Sequence, residues 1–578
     1  LKVEGMEKPR IGVYICHCGT NIAATVDVEA VTEYASRLPG VVVARNYTYM
    51  CSEPGQTLIK EDAQAQGLNR VVVASCSPRM HEPTFRGAAH DGGVNPYRTE
   101  MANIREQCSW VHHDGAAATS KAKALVASAV AKAAQLEPLE ERQASVIPGA
   151  VVIGGGVAGM IAALDVAEAG FPTFIVEQAD HLGGRAAMLH RTFPDLEPVA
   201  EWMDDLVARV VGHPNMTVFL NAQVVEVEGY VGNFKVQVEG LKSGELELHD
   251  LDPKLYSLDV GAIIVATGYE LFDPHRKPEF GYGVYPQVIT TMEMERRLVA
   301  GNLEVDGKTP KRVAFIKCVG SRDVQLGNAY CSRVCCQVCA KQAQLVREAL
   351  PDSEVNVFYI DVRTFGKRGE EAFDEARRSG VRYRRGNVSE VYRRGTGVAL
   401  RFEDTLLRRT VELETDLVVL AVGMEPRPGA DAISALLKLP RSGDGFFLEA
   451  HPKLGPVDTA MDGVFLAGCC QGPKDIPDTV AQAKAAASSA LIPLLRGTVP
   501  VGSETALVDP ELCAGCGMCV SVCPFGAAGM DELWGVSRVN AILCKGCGAC
   551  AVTCPSKAIR LQHFTAEQVM AQVDALVE

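Results

Sequence analysis

The apolar and polar positions alternate between β-like and α-like signatures along most of the chain. Arg10 to Ile15, Val41 to Ala44 and Arg70 to Ala74 are short apolar runs that read as strands, and the alanine-rich stretch from about Ala116 to Gln135 reads as a helix. Val151 to Ile153 is a β-branched run that predicts a buried parallel strand. Three glycines follow it, and a helix carrying Ile161, Ala162 and Leu164 comes next. Thr173 to Val176 and Arg312 to Ile316 repeat the strand pattern, and Val480 to Ala490 repeats the helical one. Strands alternating with helices predict an α/β protein.

The glycines have GxGxxG spacing, and each has a job if the turn holds a dinucleotide. Gly154 allows a tight turn, Gly156 lets the backbone approach a pyrophosphate, and Gly159 lets strand and helix pack closely. Glu177, at the end of the next strand, is placed to accept hydrogen bonds from ribose hydroxyls. An isolated triple-glycine match is often an ordinary turn, so the context decides. Gly183-Gly184-Arg185 follows shortly, Val265-Ala266-Thr267-Gly268 closes a later strand, and Gly463 to Gly468 comes near the end. This order resembles two-dinucleotide-binding-domain flavoproteins such as thioredoxin reductase, whose first fingerprint holds FAD. The resemblance implies FAD contacts at Gly184, Arg185, Thr267, Gly268 and Gly468. Ile476 lies in the stretch Lys474 to Thr479 that opens the late helix and aims its positive end at the isoalloxazine. An ordinary capped helix is the competing reading there.

Composition narrows the field. The 578 residues are 47% hydrophobic and 22% charged, which fits three or four globular domains with ample core. Lys and Arg number 57 against 71 Asp and Glu, a net charge of −14 that argues against nucleic acid or an anionic membrane as partner. No run of about twenty apolar residues is present to span a membrane. The first residues lack the apolar core of a signal peptide, so a cytoplasmic setting is expected, in which the 20 cysteines serve as metal ligands rather than disulfides.

The cysteines fall into three sets. Cys16 and Cys18, Cys51 and Cys76 each follow a predicted strand, and Cys108 precedes the alanine-rich helix. Strand ends on one sheet edge converge, so these residues can meet around a cluster without a local CxxC; buried packing thiols are the alternative. In the second set, Arg312 to Ile316 leads into Lys317-Cys318-Val319-Gly320-Ser321, followed by Cys331, Cys335, Cys336 and Cys339. This is where a nicotinamide-binding glycine turn would stand, and no GxGxxG is present. A helix puts Cys331 and Cys335 on one face with Cys336 adjacent, Cys318 can reach them, and Cys339 competes as a ligand. The third set is an internal repeat, Cys513-x-x-Cys516-x-x-Cys519-x-x-x-Cys523-Pro and Cys544-x-x-Cys547-x-x-Cys550-x-x-x-Cys554-Pro. That is the spacing of a two-cluster bacterial ferredoxin. The fourth cysteine of each run ligates the other cluster, giving Cys513, Cys516, Cys519 and Cys554 to one [4Fe-4S] cluster and Cys544, Cys547, Cys550 and Cys523 to the second.

With these motifs in view, nearly the whole chain resembles the HdrA family of heterodisulfide reductase components. The resemblance is carried by Val13 to Gly19, Cys51 to Gly55, Ala74 to Phe85 and the cysteines from Cys318 to Cys336. It implies a [4Fe-4S] cluster on Cys318, Cys331, Cys335 and Cys336 and another in the N-terminal domain. It also implies donor subunits, a disulfide-reducing or similar acceptor subunit, ferredoxin as a partner, an anaerobic setting, a homodimer within the complex, and electron bifurcation at the FAD in some members. Methanogen members carry a further ferredoxin module inserted in the flavin domain, whereas Gln223 to Asp259 here contains no cysteine. The expected organisation is an N-terminal α/β domain over 1–142, FAD-binding parts at 148–300 and 431–497, a second Rossmann-like domain at 301–430, a ferredoxin domain at 503–563 and a C-terminal helix at 564–578. No catalytic side chain beyond FAD is expected, and Cys469 and Cys470 are packing or flavin-adjacent thiols. The competing reading is a self-contained flavin reductase of a small molecule fed by its own ferredoxin domain; a passive electron wire ranks third.

Overall fold

The computed structural model describes residues 7–241, 255–395 and 397–577. Part of the cysteine-free segment Gln223 to Asp259, at 242–254, lies outside the described residues. The chain forms two compact units, Leu1–Gln143 with Pro500–Glu578, and Ala144–Val499.

The first unit is built on a parallel sheet in the order Val41–Tyr47, Ile11–Cys16, Arg70–Ser75, Thr99–Asn103. The helix predicted near Ala116 runs Gly115–Ala134, and its N-cap Asp114 accepts a 3.0 Å hydrogen bond from Ala116 N. Each strand runs one or more residues past its predicted end because sheet pairing, rather than apolar content, sets where it stops. The ferredoxin repeat belongs to the same unit. Its helices Met518–Val522 and Ala549–Thr553 and its strand pairs, Ala506–Val508 with Ile559–Leu561 and Ala528–Met530 with Ser537–Val539, follow the internal repeat. Its buried core is Ala506, Cys519, Ala528, Cys550 and Ile559, so its own cysteines are a large part of what it buries. Contacts to the N-terminal part supplement that core: Arg86 pairs with Glu504 at 2.8 Å, and Gln568 donates to the Gln135 carbonyl at 3.1 Å.

The second unit contains two five-stranded parallel sheets. One runs in the order Val464–Leu466, Ala262–Val265, Ala150–Ile153, Thr173–Val176, Met216–Phe219. The other runs Val288–Thr290, Leu417–Val422, Arg312–Val319, Glu354–Tyr359, Arg382–Arg385. These continuous apolar strands are covered on both faces, as parallel strands require. In each sheet the strand leading into the candidate chemistry is central, so the residues after it emerge at the carboxyl edge where α/β proteins bind ligands.

Candidate functional site

A cavity of about 510 Å³ opens at the carboxyl edge of the first of these sheets, within the size range of cofactor sites. Gly156, Glu177, Gly184, Arg185, Thr267, Gly268 and Ile476 all line it. The glycine turn explains its own composition. Gly154 has φ +112° and a side chain there would lie 2.4 Å from the Ala266 carbonyl oxygen, while one at Gly159 would lie 1.8 Å from the Gly154 oxygen. Gly156 differs, because no protein atom lies within 4 Å of where its Cβ would stand. It faces the cavity, leaving room for a phosphate group. Gly154, Gly159 and Gly468 shape the wall from behind; a side chain at Gly468, φ +74°, would meet Ala158 at 2.7 Å.

Glu177 accepts from Gly155 N at 2.6 Å and from Ala179 N at 2.8 Å, which fixes its carboxylate and leaves lone pairs on both oxygens. Arg185 pairs with Glu270 and donates to the Tyr269 carbonyl at 3.2 Å. The late helix runs Ile476–Arg496, longer than predicted at both ends, and its N-cap Asp475 accepts from Asp478 N at 2.9 Å. Its first turn opens into the cavity beside Lys474, whose ammonium burial pushes below its usual pKa.

The second strand end bears a different turn. Cys318 and Gly320 both have positive φ, +62° and +74°, and the Phe272 ring lies 2.1 Å from where a Gly320 Cβ would stand. The helix after it, Cys335–Ala349, begins with the cysteines and presents Cys335, Gln337, Val338 and Lys341 to the same cavity. The Cys335 thiol donates to Cys318, which favours the Cys318 thiolate and holds Cys335 protonated. Cys331 accepts from Arg333 N at 3.3 Å, and both it and Cys318 bear on Arg322. Cys336 accepts from Lys317 Nζ at 3.2 Å. Cys339 lies fully buried in the apolar core behind this set. Tyr383 has a buried hydroxyl with no hydrogen-bond partner; burial first, then the Cys339 and Cys336 thiols, raise its pKa.

Several wall residues had no sequence signal. Lys341 pairs with Glu295 at 2.6 Å with side chains only 3% and 1% exposed, and Glu295 also accepts from His190 N at 2.8 Å and Gln342 at 2.6 Å. Lys341 stands six residues after Cys335 on a visible helix, but Glu295 comes from a distant segment, and only the fold pairs them. Cys469 lines the cavity, whereas Cys470 is buried and donates to the Val265 carbonyl at 3.1 Å.

In the other unit, Cys16, Cys18, Cys51 and Cys76 gather at the carboxyl edge of the N-terminal sheet. Cys16 accepts from Cys18 N at 3.3 Å and Met50 N at 3.4 Å, Cys18 and Cys51 bear on Cys16, and Cys18 bears on Cys76. Arg105 donates to Cys18 at 3.1 Å. Cys108 is not brought to this set: it lies in the core and donates to the Ala118 carbonyl at 3.1 Å. The ferredoxin loops hold their cysteines with backbone N–H groups, Ser537 to Cys513 at 3.3 Å, Ala527 to Cys523 at 3.2 Å and Ala506 to Cys544 at 3.4 Å. Cys516 and Cys547 are exposed, and Cys519, Cys550 and Cys554 complete the two runs.

Among the described residues no group of three or more His, Cys, Asp or Glu side chains is arranged to hold a single metal ion. Tetrahedral zinc would bring its ligand sulfurs to roughly 3.8 Å from one another; a four-iron cube spreads them wider. Sulfurs that accept N–H donors, beside an unpartnered tyrosine hydroxyl, fit a sulfur-rich cluster that takes further hydrogen bonds.

A family model described as pyridine nucleotide-disulphide oxidoreductase matches residues 149–490, and one described as 4Fe-4S dicluster domain matches 512–559. The protein is thus an oxidoreductase of the two-dinucleotide-binding-domain, thioredoxin-reductase-like class, with FAD and [4Fe-4S] clusters as its cofactors. The A-subunit of the H(2):CoB-CoM heterodisulfide,ferredoxin reductase of Methanothermobacter marburgensis is 45% identical, covering 99% of this chain and 98% of its own. The second iron-sulfur A-subunit of the CoB–CoM heterodisulfide reductase of Methanopyrus kandleri is 47% identical over 91% of this chain and 92% of its own. The chain belongs to the heterodisulfide reductase A-subunit family, HdrA. Among solved structures, Lactococcus lactis thioredoxin reductase is similar at 16% identity, covering 61% of this chain and all of that one, with a TM-score of 0.41. No described helix is long and apolar enough to cross a membrane.

Proposed function

We propose that this chain is the flavin-bearing electron distributor of a cytoplasmic, anaerobic multi-subunit complex, passing electrons between a donor module, FAD, ferredoxin and a disulfide-reducing or similar acceptor subunit. The observation that carries the reading is Cys335, which belongs to the Cys318 set and also lines the cavity of the Gly156 turn. A cluster on Cys318, Cys331, Cys335 and Cys336 would then adjoin the flavin. Cys16, Cys18, Cys51 and Cys76 would hold a second cluster, with Cys108 left as a packing thiol. The ferredoxin cysteines would hold two more, with the crossed fourth ligands described above.

FAD supplies the two-electron chemistry when bound, and one-electron carriers beside it are the arrangement needed to bifurcate an electron pair. The Gly156 turn would seat its pyrophosphate and Glu177 its ribose, while the helix at Ile476 and the Lys474 ammonium would face the flavin with positive charge. Direct reduction by NADH or NADPH is not expected, because Cys318 and the Phe272 ring fill the turn where a nicotinamide pyrophosphate would sit. Names of the relatives support the donor and acceptor subunits, and a homodimer is the expected state inside the complex. Anaerobic purification of the native complex, with its co-eluting subunits identified and flavin and iron measured, tests this. Donor and acceptor subunits with roughly sixteen iron atoms per chain are expected; a lone chain that turns over a small molecule would favour the self-contained reductase instead.

A further inference from the structure

Lys317 is 5% exposed and carries an ammonium into the interior. Buried charges are retained where a counter-charge meets them, since an unpaired one is strongly destabilising. Among the described residues no carboxylate lies within ion-pair distance of Lys317. The nearby Asp361 offers only its backbone carbonyl, at 2.9 Å, because its carboxylate is taken by Arg322 at 2.6 Å and Arg363 at 3.3 Å. What Lys317 does meet is the Cys336 sulfur at 3.2 Å, with the Tyr359 ring 5.2 Å from its nitrogen. Its counter-charge is therefore the cysteine set. Arg105 at the N-terminal cysteines differs, because Glu106 neutralises it at 2.7 Å. The second observation is the Tyr383 hydroxyl, a buried donor with nothing to donate to, whose ring packs 6.0 Å from the same Tyr359 ring that Lys317 overlies.

We propose that Lys317, backed by the Tyr383 hydroxyl, sets the reduction potential of the cluster at the Cys318 site, raising it so that the cluster takes an electron from a one-electron donor such as reduced ferredoxin before the flavin beside it does. This rests on the cluster assignment above. One electron would leave the reduced donor and enter the cluster, adding one negative charge to the cluster and its four thiolates. A fixed ammonium against one ligand sulfur, and a hydroxyl hydrogen bond to the sulfur-rich surface, both favour the more negative form. Lys317 is thus a positioning residue: it ligates nothing and acts through the cluster.

The test is a reductive titration of the full-length, cluster-loaded protein followed by electron paramagnetic resonance, reading the signal that disappears in Cys318→Ala. In Lys317→Met that signal's ratio of reduced to oxidised cluster, at the wild-type midpoint, should fall at least about tenfold, a shift of about 59 mV downward for a one-electron couple. Lys317→Arg should restore most of it, and Tyr383→Phe should shift the midpoint less, in the same direction. An unchanged or raised midpoint in Lys317→Met with iron retained overturns the proposal. If Lys317→Met loses the cluster, Tyr383→Phe decides, and an unchanged midpoint there overturns it. Should Cys318→Ala lose neither iron nor any signal, the cluster assignment fails first, which separates the two failures.

Discussion

Two strand ends in the Ala144–Val499 unit, at Gly156 and at Gly320, occupy equivalent places in two similar parallel sheets and have opposite surroundings. At Gly156 the space a side chain would fill is open cavity; at Gly320 it is occupied by the ring of Phe272, which is itself 1% exposed. Behind the first turn comes an apolar helix, Val157–Glu168, whose N-terminus is free for an anion. Behind the second comes Cys335–Ala349, whose N-terminus carries two thiols. The same Rossmann-like element therefore leaves open cavity after its glycine turn in one copy and presents a cysteine set in the other. Cys335 belongs to the second and also lines the cavity of the first.

The largest effect is expected from Gly156→Val. Its backbone, φ −74° and ψ −177°, suits valine, and the place of the new Cβ is clear of other protein atoms, so the fold should persist while the pyrophosphate is displaced. Flavin per chain after desalting should fall from near one to near zero, with circular dichroism unchanged; full flavin occupancy would place the cofactor elsewhere. Phe272→Ala opens the other turn and should cost about 3–5 kcal/mol in denaturant unfolding, as truncation of a buried aromatic does. NADH should still not bind there, measured by its fluorescence, because Cys318 remains.

The wall between the two turns gives a sharper test. Glu295→Gln leaves the Lys341 ammonium buried without its partner and should destabilise the unit by about 3–4 kcal/mol. Lys341→Met combined with Glu295→Leu should recover most of that loss, so the double variant unfolds at higher denaturant than Glu295→Gln.

Glu504, in the other unit, serves as a small control. Burial raises its carboxyl pKa, but the His563 hydrogen bond and the Arg86 charge outweigh burial and hold it below its ordinary value. The stabilisation is therefore present above pH about 4.3 and lost as pH falls through the folded value. Glu504→Gln should lower stability by about 1 kcal/mol at pH 7, flatten the acid limb of thermal unfolding, and leave flavin content unchanged.

What the sequence made legible was local. The glycine turn, the strand that leads into it and the ferredoxin repeat are each written in contiguous spacing, because short-range geometry dictates which residues those positions accept. The convergence of Cys16, Cys18, Cys51 and Cys76 could be reasoned from strand ends, whereas Cys108 precedes a helix and nothing local says whether it joins them. Its place was decided by core packing against Ala118, a long-range outcome. The Lys341–Glu295 pair, the Lys317–Cys336 contact and the Phe272 ring over Gly320 join segments far apart in sequence, and no local period records them.

Electron entry to the flavin through the Cys318 cluster, and not from a nicotinamide, is measured by anaerobic stopped-flow absorbance of the isolated, fully loaded chain. Mixed with NADH or NADPH, the flavin should stay oxidised; mixed with reduced ferredoxin or a low-potential viologen, it should bleach, and more slowly in Cys335→Ala. Rapid bleaching by NADH alone would show that the flavin takes hydride from a nicotinamide after all.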